Sequence, residues 1–294
     1  MKKLLVMLMV IAMMAGALAG CGSSGATTDT TDTAAADTAD TTDTTAADTA
    51  DTSDAEEAGE PEDTDTGDGP KVWKIATDTV FRPFEYTDEN GNFVGIDVDI
   101  LAAIAEDQGF EYELSSLGWD AAIAACQSGQ ADGMIAGASI TDERKESGWI
   151  FSDGYYIATQ CMAVAADSDI ASFADLEGLT VAVKTGTQGA AYAESLKDEY
   201  GFELTYFEDS PTMYQAVVGG QAVACFEDTP IISDYIVSQG LAMKVVEGSE
   251  NEGAPYGFAI HKAEKQELID MFNAGLKNIQ ENGKYDEILA KYLG

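Results

Sequence analysis

The feature that most constrains the fold is the alternation of short apolar runs with helical patterns between residues 72 and 136. Each predicted helix repeats its apolar residues at helical spacing and is followed by a glycine, which is a common helix end. Strands that alternate with helices form a parallel sheet with right-handed crossovers and a ligand groove beyond the carboxyl ends of the strands. The predicted strands are 72–77, 110–115 and 131–136, and the predicted helices are 97–108 and 120–128.

A second unit of the same kind follows, and two further helices end the chain. The chain crosses between the units near 156–163 and is expected to return near 253–259 if the terminal helices cover the first unit. Two crossings make a hinge, and the strand ends that face each other across it form a cleft suited to a small ligand. The predicted strands of this part are 179–184, 203–207, 222–226 and 243–247, and the predicted helices are 188–200, 211–218, 228–239, 265–280 and 285–293.

The first residues are typical of a secretory leader. Two lysines precede an apolar run that ends near Leu18, and this run is too short for a comfortable membrane span. The sequence Leu18–Ala19–Gly20–Cys21 resembles the lipobox of bacterial lipoproteins, which implies cleavage before Cys21 and lipidation of its thiol. An ordinary secretory signal that happens to be followed by a cysteine is the alternative. We predict a signal peptide over 1–20.

Residues 22–70 consist mostly of Thr, Asp and Ala, with 15 acidic residues and no Lys or Arg. They offer almost nothing for a core, so residues 21–70 are predicted to be a lipidated cysteine and a disordered tether. Of the formal net charge of −38, the leader contributes +2 and the tail −15, which leaves −25 for residues 71–294. Such a surface is a poor partner for nucleic acid and for anionic lipid.

Three cysteines and one histidine remain in the folded part. Cys126, Cys161 and Cys225 lie in apolar contexts and match no zinc spacing, so we predict small core residues, with one disulfide plus a free thiol as the alternative. His261 has no partner in the sequence. No metal, no cofactor and no histidine-dependent triad are therefore expected.

One stretch, 136–156, combines features of an anion site. An apolar run stops at Gly137, Thr141 stands where a helix N-cap would, and two acidic residues follow it. Small residues let a ligand approach the backbone, and Arg144 adds a planar fork that can hold a carboxylate with two hydrogen bonds. The stretch is interpreted as a carboxylate clamp. A solvated surface arginine is the alternative.

Four separated motifs resemble the family 3 extracellular solute-binding proteins, which bind polar amino acids for ABC importers. The similarity covers essentially all of residues 71–294, and only Gln108 departs from the signature of the first motif. It implies an α/β, two-lobed periplasmic-binding-protein type II (flytrap) fold with two hinge strands, lobe 1 being 71–158 plus 256–294 and lobe 2 being 159–255. The similar stretches are 95–105, 139–156, 181–187 with 228–230, and 282–286.

The resemblance also implies roles for the ends of an amino acid. In the family, an arginine at the position of Arg144 holds the α-carboxylate, together with backbone N–H groups at the positions of Ser139 and Thr187. An aspartate at the position of Asp228 holds the α-ammonium, with the Gly137 carbonyl and the Ser139 hydroxyl as further acceptors. From the residues alone, Asp228 has the alternative role of an N-cap for the helix that follows it.

The resemblance places Asp78, Phe81, Trp119 and Lys184 around the ligand side chain, as in glutamine-binding members of the family. The two rings are otherwise interpreted as core aromatics. Lys184 argues against a cationic ligand and Asp78 against glutamate, because a like charge would be costly to desolvate. Glutamine is therefore the preferred ligand, with another polar or charged amino acid left open. Glu227, which replaces a histidine of the glutamine-binding relatives, and Gln188 are the other candidate specificity residues.

The expected function is the extracytoplasmic substrate-binding component of an ABC importer. Its partners would be a free amino acid, a permease with its ATPase, and the membrane through the lipid anchor at Cys21. The protein is expected to be a monomer on a Gram-positive cell surface. A dehydratase acting on cyclic acids such as prephenate is a remote alternative, for which Glu227 is the only candidate proton-transfer group beyond the clamp. A second alternative is a sensor that binds its ligand and signals to a separate protein.

Overall fold

The computed structural model describes residues 71–294. The predicted leader, the lipidation site at Cys21 and the tether lie outside these residues. In chain order, the first elements are β1 (Val72–Thr77), β2 (Tyr86–Thr87), β3 (Phe93–Val94), α1 (Ile96–Gln108), β4 (Glu111–Ser116), α2 (Trp119–Ser128), β5 (Gly133–Met134), α3 (Asp142–Glu146), β6 (Ile150–Phe151), β7 (Tyr156–Ala158) and β8 (Gln160–Ala165). The remaining elements are β9 (Thr180–Lys184), α4 (Gln188–Tyr200), β10 (Glu203–Phe207), α5 (Ser210–Val218), β11 (Ala224–Asp228), α6 (Thr229–Ser238), β12 (Met243–Val245), β13 (Ala254–Tyr256), β14 (Ala259–Ile260), α7 (Gln266–Glu281) and α8 (Lys284–Leu293), with short 3-10 turns at Phe173–Leu176 and Ala263–Lys265.

The first sheet has the strand order β4–β1–β5–β14–β6, and β1 runs parallel to both β4 and β5. Successive residues of a strand point to opposite faces, so Ile75 packs into the core formed with α1 and α7, whereas Ala76 packs into the core formed with α2. Strand β14 returns from the end of the chain and pairs antiparallel with β5 and β6. The terminal helices therefore cover the first unit, as the sequence predicts.

The second sheet has the order β10–β9–β11–β8–β12, in which β8 is antiparallel to β11 and β12. Val181 and Val183 pack on the α4 side, and Ala182 packs on the side of α5 and α6. Both sheets are thus covered by helices on both faces, which explains the nearly continuous apolar runs of their central strands. We call the part built on the first sheet lobe 1 and the part built on the second sheet lobe 2.

Strands β7 and β13 pair antiparallel in a separate two-stranded sheet, with Pro255 opposite Ile157. They carry the chain between the two sheets, where the sequence predicts the crossings. The proposed lobe limits at 158/159 and 255/256 fall in or next to these strands and stay a prediction.

Three strand predictions differ from the structure by two residues or more, and one of them, 243–247, ends early at Val245. The predicted strand 131–136 narrows to Gly133–Met134, because only single hydrogen bonds from Asp132 and Ile135 to β1 extend the pairing on either side. Strand β11 extends two residues beyond its predicted end, so Glu227 and Asp228 are part of a fully buried strand.

The three cysteines of residues 71–294 are buried and unpaired, which confirms that they are core residues. Cys126 lies on the buried face of α2, and Cys161 and Cys225 pack in the core beside α5 and α6. Within the same range, none of the helices has the length and apolar character needed to cross a bilayer.

Candidate ligand-binding site

A small cavity lies between the two lobes, with about 20 Å³ open to the centre of a water-sized sphere and about 300 Å³ of empty space when the open mouth is counted. It contains all of the candidate ligand-contacting and specificity residues, although these are spread over 150 positions of the chain. Lobe 1 contributes loops at the ends of β1 and β5 and the start of α2, and lobe 2 contributes the ends of β9 and β11 and the start of α4. The lining residues are Asp78, Phe81, Trp119, Ala136, Gly137, Ser139, Arg144, Lys184, Thr187, Gln188, Glu227 and Asp228.

Arg144 is positioned by the short helix α3. The hydroxyl of Thr141 caps this helix by accepting the backbone N–H of Arg144 at 3.2 Å, as the sequence predicts. The guanidinium donates to the Ser139 carbonyl at 2.9 Å and, across the cleft, to the Gly186 carbonyl at 3.2 Å. Two of its five N–H groups are thus used, and three remain for another acceptor. Burial lowers the pKa of Arg144, and the carboxylates of Asp228 and Glu143 oppose that shift.

Two backbone N–H groups belong to residues that line the cavity. Those of Ser139 and Thr187 donate to no other described residue, and Thr187 lies at the start of α4, where N–H groups favour an anion. The Thr187 hydroxyl accepts the N–H of Ala190 at 3.2 Å and donates to the Lys184 carbonyl at 2.8 Å, which fixes this turn. Together with Arg144, these groups form a region that can bind a carboxylate.

Asp228 supplies the negative charge of the site. Its carboxylate accepts hydrogen bonds from the Gln160 amide at 2.6 Å and from the Tyr256 hydroxyl. Burial and the neighbouring Glu227 raise the pKa of Asp228 to about 6, while these hydrogen bonds and Arg144 oppose the shift. Although Asp228 is at the N-cap position of α6, its side chain makes no capping hydrogen bond. The side chain lines the cavity instead. The alternative role, a side-chain cap for the following helix, is therefore wrong.

Asp78 and Lys184 form an ion pair across the cleft. The Lys184 Nζ lies 2.5 Å from the Asp78 Oδ2, and both side chains are less than 5% exposed. The Lys184 Nζ also lies 5.2 Å from the centre of the Phe81 ring. Phe81 and Trp119 are buried, yet both line the cavity, so they belong to the core and to the site at the same time.

Glu227 is held by three hydrogen bonds. Its Oε2 accepts from the Ser210 hydroxyl at 2.6 Å and from the Tyr214 hydroxyl at 2.9 Å, and its Oε1 accepts the backbone N–H of Asp228 at 2.9 Å. The carboxylate is therefore satisfied by lobe 2 itself. Gln188 lies at the start of α4, beside Thr187.

Further contacts join the lobes outside the cavity. Arg82 of lobe 1 forms an ion pair of 2.9 Å with Asp234 of α6, and the Tyr235 hydroxyl donates to the Val80 carbonyl at 3.3 Å. These contacts are not predicted from the sequence, and neither are the hydrogen bonds that Gln160 and Tyr256 donate to Asp228. Each joins residues that are at least 28 positions apart, and no local pattern signals such a pairing.

Known proteins with similar sequences and structures bind amino acids. A probable histidine-binding protein of Neisseria gonorrhoeae is 32% identical over 225 residues, which cover 76% of this chain and 83% of the relative. Substrate-binding domain 2 of GlnP from Lactococcus lactis, in its open conformation, is 40% identical with a TM-score of 0.54, covering 76% of this chain and 95% of that one. An ancestral arginine-binding protein bound to glutamine is 32% identical with a TM-score of 0.70, covering 76% and 98%.

The structure with the higher identity thus has the lower TM-score. This is the result expected if its lobes are spread apart, whereas the lobes of the present chain touch through Arg82 and Arg144. Residues 73–294 match the model of the bacterial extracellular solute-binding proteins, family 3, and the chain belongs to that family.

Proposed function

We propose that the protein is the extracytoplasmic substrate-binding component of an amino-acid ABC importer and that its ligand is glutamine. The observation that carries the proposal is the placement of Arg144 and Asp228, which have opposite charges, come from different lobes and line one cavity. A free amino acid carries both complementary charges at neutral pH. Its carboxylate would bind Arg144 with the Ser139 and Thr187 N–H groups, and its ammonium would bind Asp228.

This division of charges couples binding to closure of the lobes. A ligand shifts a conformational equilibrium only by its differential contacts with the two states. An amino acid that binds Arg144 alone satisfies one charge, whereas the second charge is satisfied only when lobe 2 brings Asp228 close. The closed form is therefore the one that the ligand stabilises.

The side-chain end of the cavity supports a neutral amide. Lys184 and Asp78 neutralise each other, and each still has hydrogen-bonding capacity, because an ammonium has three N–H groups and a carboxylate has about four lone-pair sites. An amide can donate to Asp78 and accept from Lys184. A guanidinium would instead bring a second cation beside Lys184, and a carboxylate would bring a second anion beside Asp78.

Glu227 does not change this preference. Its two oxygens already accept hydrogen bonds from Ser210, Tyr214 and the Asp228 N–H, so the group is anchored in lobe 2. The same contacts argue against a dehydratase, because a proton-transfer group has to reach the substrate. The permease and ATPase partners follow from the family, and the lipid anchor at Cys21 and the monomeric state remain part of the proposal.

A thermal-shift screen of the twenty amino acids tests the proposed ligand. We expect L-glutamine to give the largest increase in Tm, because a ligand that binds only the folded state stabilises it by about 2.7 kcal/mol at a hundred times its Kd. N-acetyl-L-glutamine is the matched control, since it keeps the amide and the carboxylate but lacks the ammonium that Asp228 would hold. It should give no shift. Stabilisation by arginine alone or aspartate alone would overturn the assignment.

Asp234→Asn should weaken glutamine binding by up to about fivefold, because it removes an interlobe ion pair without touching the cavity. The side chains of Arg82 and Asp234 are 22% and 15% exposed, which keeps the effect modest. Calorimetry on Arg82→Gln, Asp234→Asn and the double variant measures it. If the pair acts as a unit, the double variant loses no more than either single variant, and additive losses would contradict the prediction.

A further inference from the structure

A pair of buried carboxyl groups lies next to the cavity, outside the set of residues that line it. Glu85 follows the loop that carries Phe81, and its backbone N–H donates to the Phe81 carbonyl at 3.1 Å. Asp97 lies in the first turn of α1, and both side chains have no measurable exposure. Neither carboxyl group has an arginine or lysine as an ion-pair partner within residues 71–294.

The hydrogen bonds of the pair account for only part of its oxygens. The Asp97 Oδ2 accepts the Gly137 N–H at 2.8 Å and the Tyr155 hydroxyl at 2.9 Å. The Asp97 Oδ1 and both oxygens of Glu85 meet no N–H or O–H donor of the described residues. The backbone nevertheless places the two groups side by side, because the Asp97 N–H donates to the carbonyl of Phe84, the neighbour of Glu85, at 3.0 Å. Two carboxyl groups can hydrogen-bond only if one of them carries a proton.

We propose that Glu85 is protonated at neutral pH and that its O–H donates a hydrogen bond to the Asp97 carboxylate, so that the two residues act as positioning residues for the ligand site. A proton between the two groups accounts both for the oxygen without a donor and for the buried charge without a partner. It gives the Asp97 Oδ1 a donor, and it removes a negative charge that would otherwise be buried without a partner.

The charges around the pair favour the same state. Burial raises the pKa of Glu85 well above its usual range, and the nearby carboxylates of Asp97 and Asp78 raise it further. Lys184, the cation that faces Glu85 from lobe 2, opposes them. Burial also raises the pKa of Asp97, while the Gly137 N–H, the Tyr155 hydroxyl and Glu85 oppose that shift.

The pair reaches the ligand site through Gly137. This residue has a φ of +54°, and a Cβ added to it would lie 2.5 Å from the Phe81 ring, so the backbone is closely packed on that side. The Gly137 N–H donates to the Asp97 carboxylate. This hydrogen bond fixes the orientation of the Gly137 peptide, whose carbonyl would accept the ligand ammonium, a step that rests on the proposed function. The hydrogen bond from the protonated Glu85 fixes the Asp97 side chain in turn.

The protonation state is tested without ligand by Glu85→Gln, whose amide donates to Asp97 but does not titrate. A glutamate with a raised pKa in the folded state contributes stability that is complete below its unfolded pKa of about 4.3 and is lost as the pH rises. One such proton changes the folding equilibrium tenfold per pH unit. We therefore expect the folding constant of Glu85→Gln, relative to the wild type, to rise about tenfold per pH unit between about pH 5.5 and 7, the range over which the proposal keeps Glu85 protonated in the folded state.

Glu89→Gln is the matched control for this series, because Glu89 is exposed and lies four residues away. Its folding constant relative to the wild type should stay constant over the same pH range. The infrared spectrum at pH 7 gives a second measurement, a protonated-carboxyl band that Glu85→Gln loses. If Glu85→Gln parallels the wild type at every pH, or if the band is absent, Glu85 is ionised and the proposal is wrong.

The positioning role is tested by calorimetry with L-glutamine at pH 7. We expect Glu85→Gln to keep its affinity within about threefold, because it preserves the donor. Glu85→Leu fills the site without a donor and should lose tenfold or more. Equal affinity in Glu85→Leu and the wild type would overturn the positioning role. The pH series does not depend on the ligand, so failure of the glutamine assignment leaves the protonation test intact.

Discussion

Arg144→Ala and Asp228→Ala should each weaken glutamine binding by about 30-fold or more. Removing one partner of a buried charge pair typically costs about 2 to 5 kcal/mol, and 1.4 kcal/mol corresponds to a tenfold change. Without Arg144, the ligand carboxylate keeps only the N–H groups of Ser139 and Thr187. Without Asp228, the ligand ammonium loses the carboxylate that would pair with it. Calorimetry of the two variants measures the losses directly.

Two further variants separate ligand contact from lobe contact, since Arg144 also donates to the Gly186 carbonyl across the cleft. Arg82→Ala removes another interlobe arginine that does not line the cavity, so it should cost much less than Arg144→Ala. Arg144→Lys keeps the charge but loses the planar fork, and it should fall between the wild type and Arg144→Ala. A loss below tenfold in either alanine variant would contradict the assignment.

The carboxylate end of the site could be predicted because it is encoded locally. The capping hydroxyl of Thr141, the small residues before it and Arg144 lie within eight positions, and the rules for helix starts apply directly to them. Helix bounds were predicted well for the same reason. The sequence predicts α4 over 188–200, and its bounds are Gln188–Tyr200, where Thr187 caps the start and Gly201 ends the helix in a left-handed conformation.

The ammonium end could not be predicted from local patterns. A strand is expected to stop before acidic residues, because unpaired carboxylates are rarely buried. Strand β11 nevertheless continues through Glu227 and Asp228, since partners from distant elements satisfy both of them. Tyr256 comes from β13 and Gln160 from β8, and only the folded arrangement of the hinge brings them to Asp228. The resemblance to the family, not the local sequence, identified this residue.

The other large expected effect concerns the ion pair beneath the ligand side chain. Lys184→Met should weaken glutamine binding about 100- to 4,000-fold, because breaking a buried pair costs about 3 to 5 kcal/mol when one charge is left without compensation. Asp78 and Lys184 lie on different lobes and meet only across the cleft. The free-energy cost of losing the pair therefore weakens the closing of the two lobes on the ligand. The Tm measured without ligand should change little.

The same variant should shift the ligand preference. With Lys184 removed, Asp78 is an unpaired anion at the side-chain end of the cavity, so a cationic side chain can replace the lost ammonium. We expect the ratio of arginine affinity to glutamine affinity to rise in Lys184→Met. The double variant Asp78→Asn/Lys184→Met is the matched control, because it leaves no charge uncompensated and should lose the preference for arginine. If Lys184→Met kept the ligand profile of the wild type, the Asp78–Lys184 pair would have no part in choosing the amino acid, and glutamine specificity would have to come from the aromatic walls formed by Phe81 and Trp119.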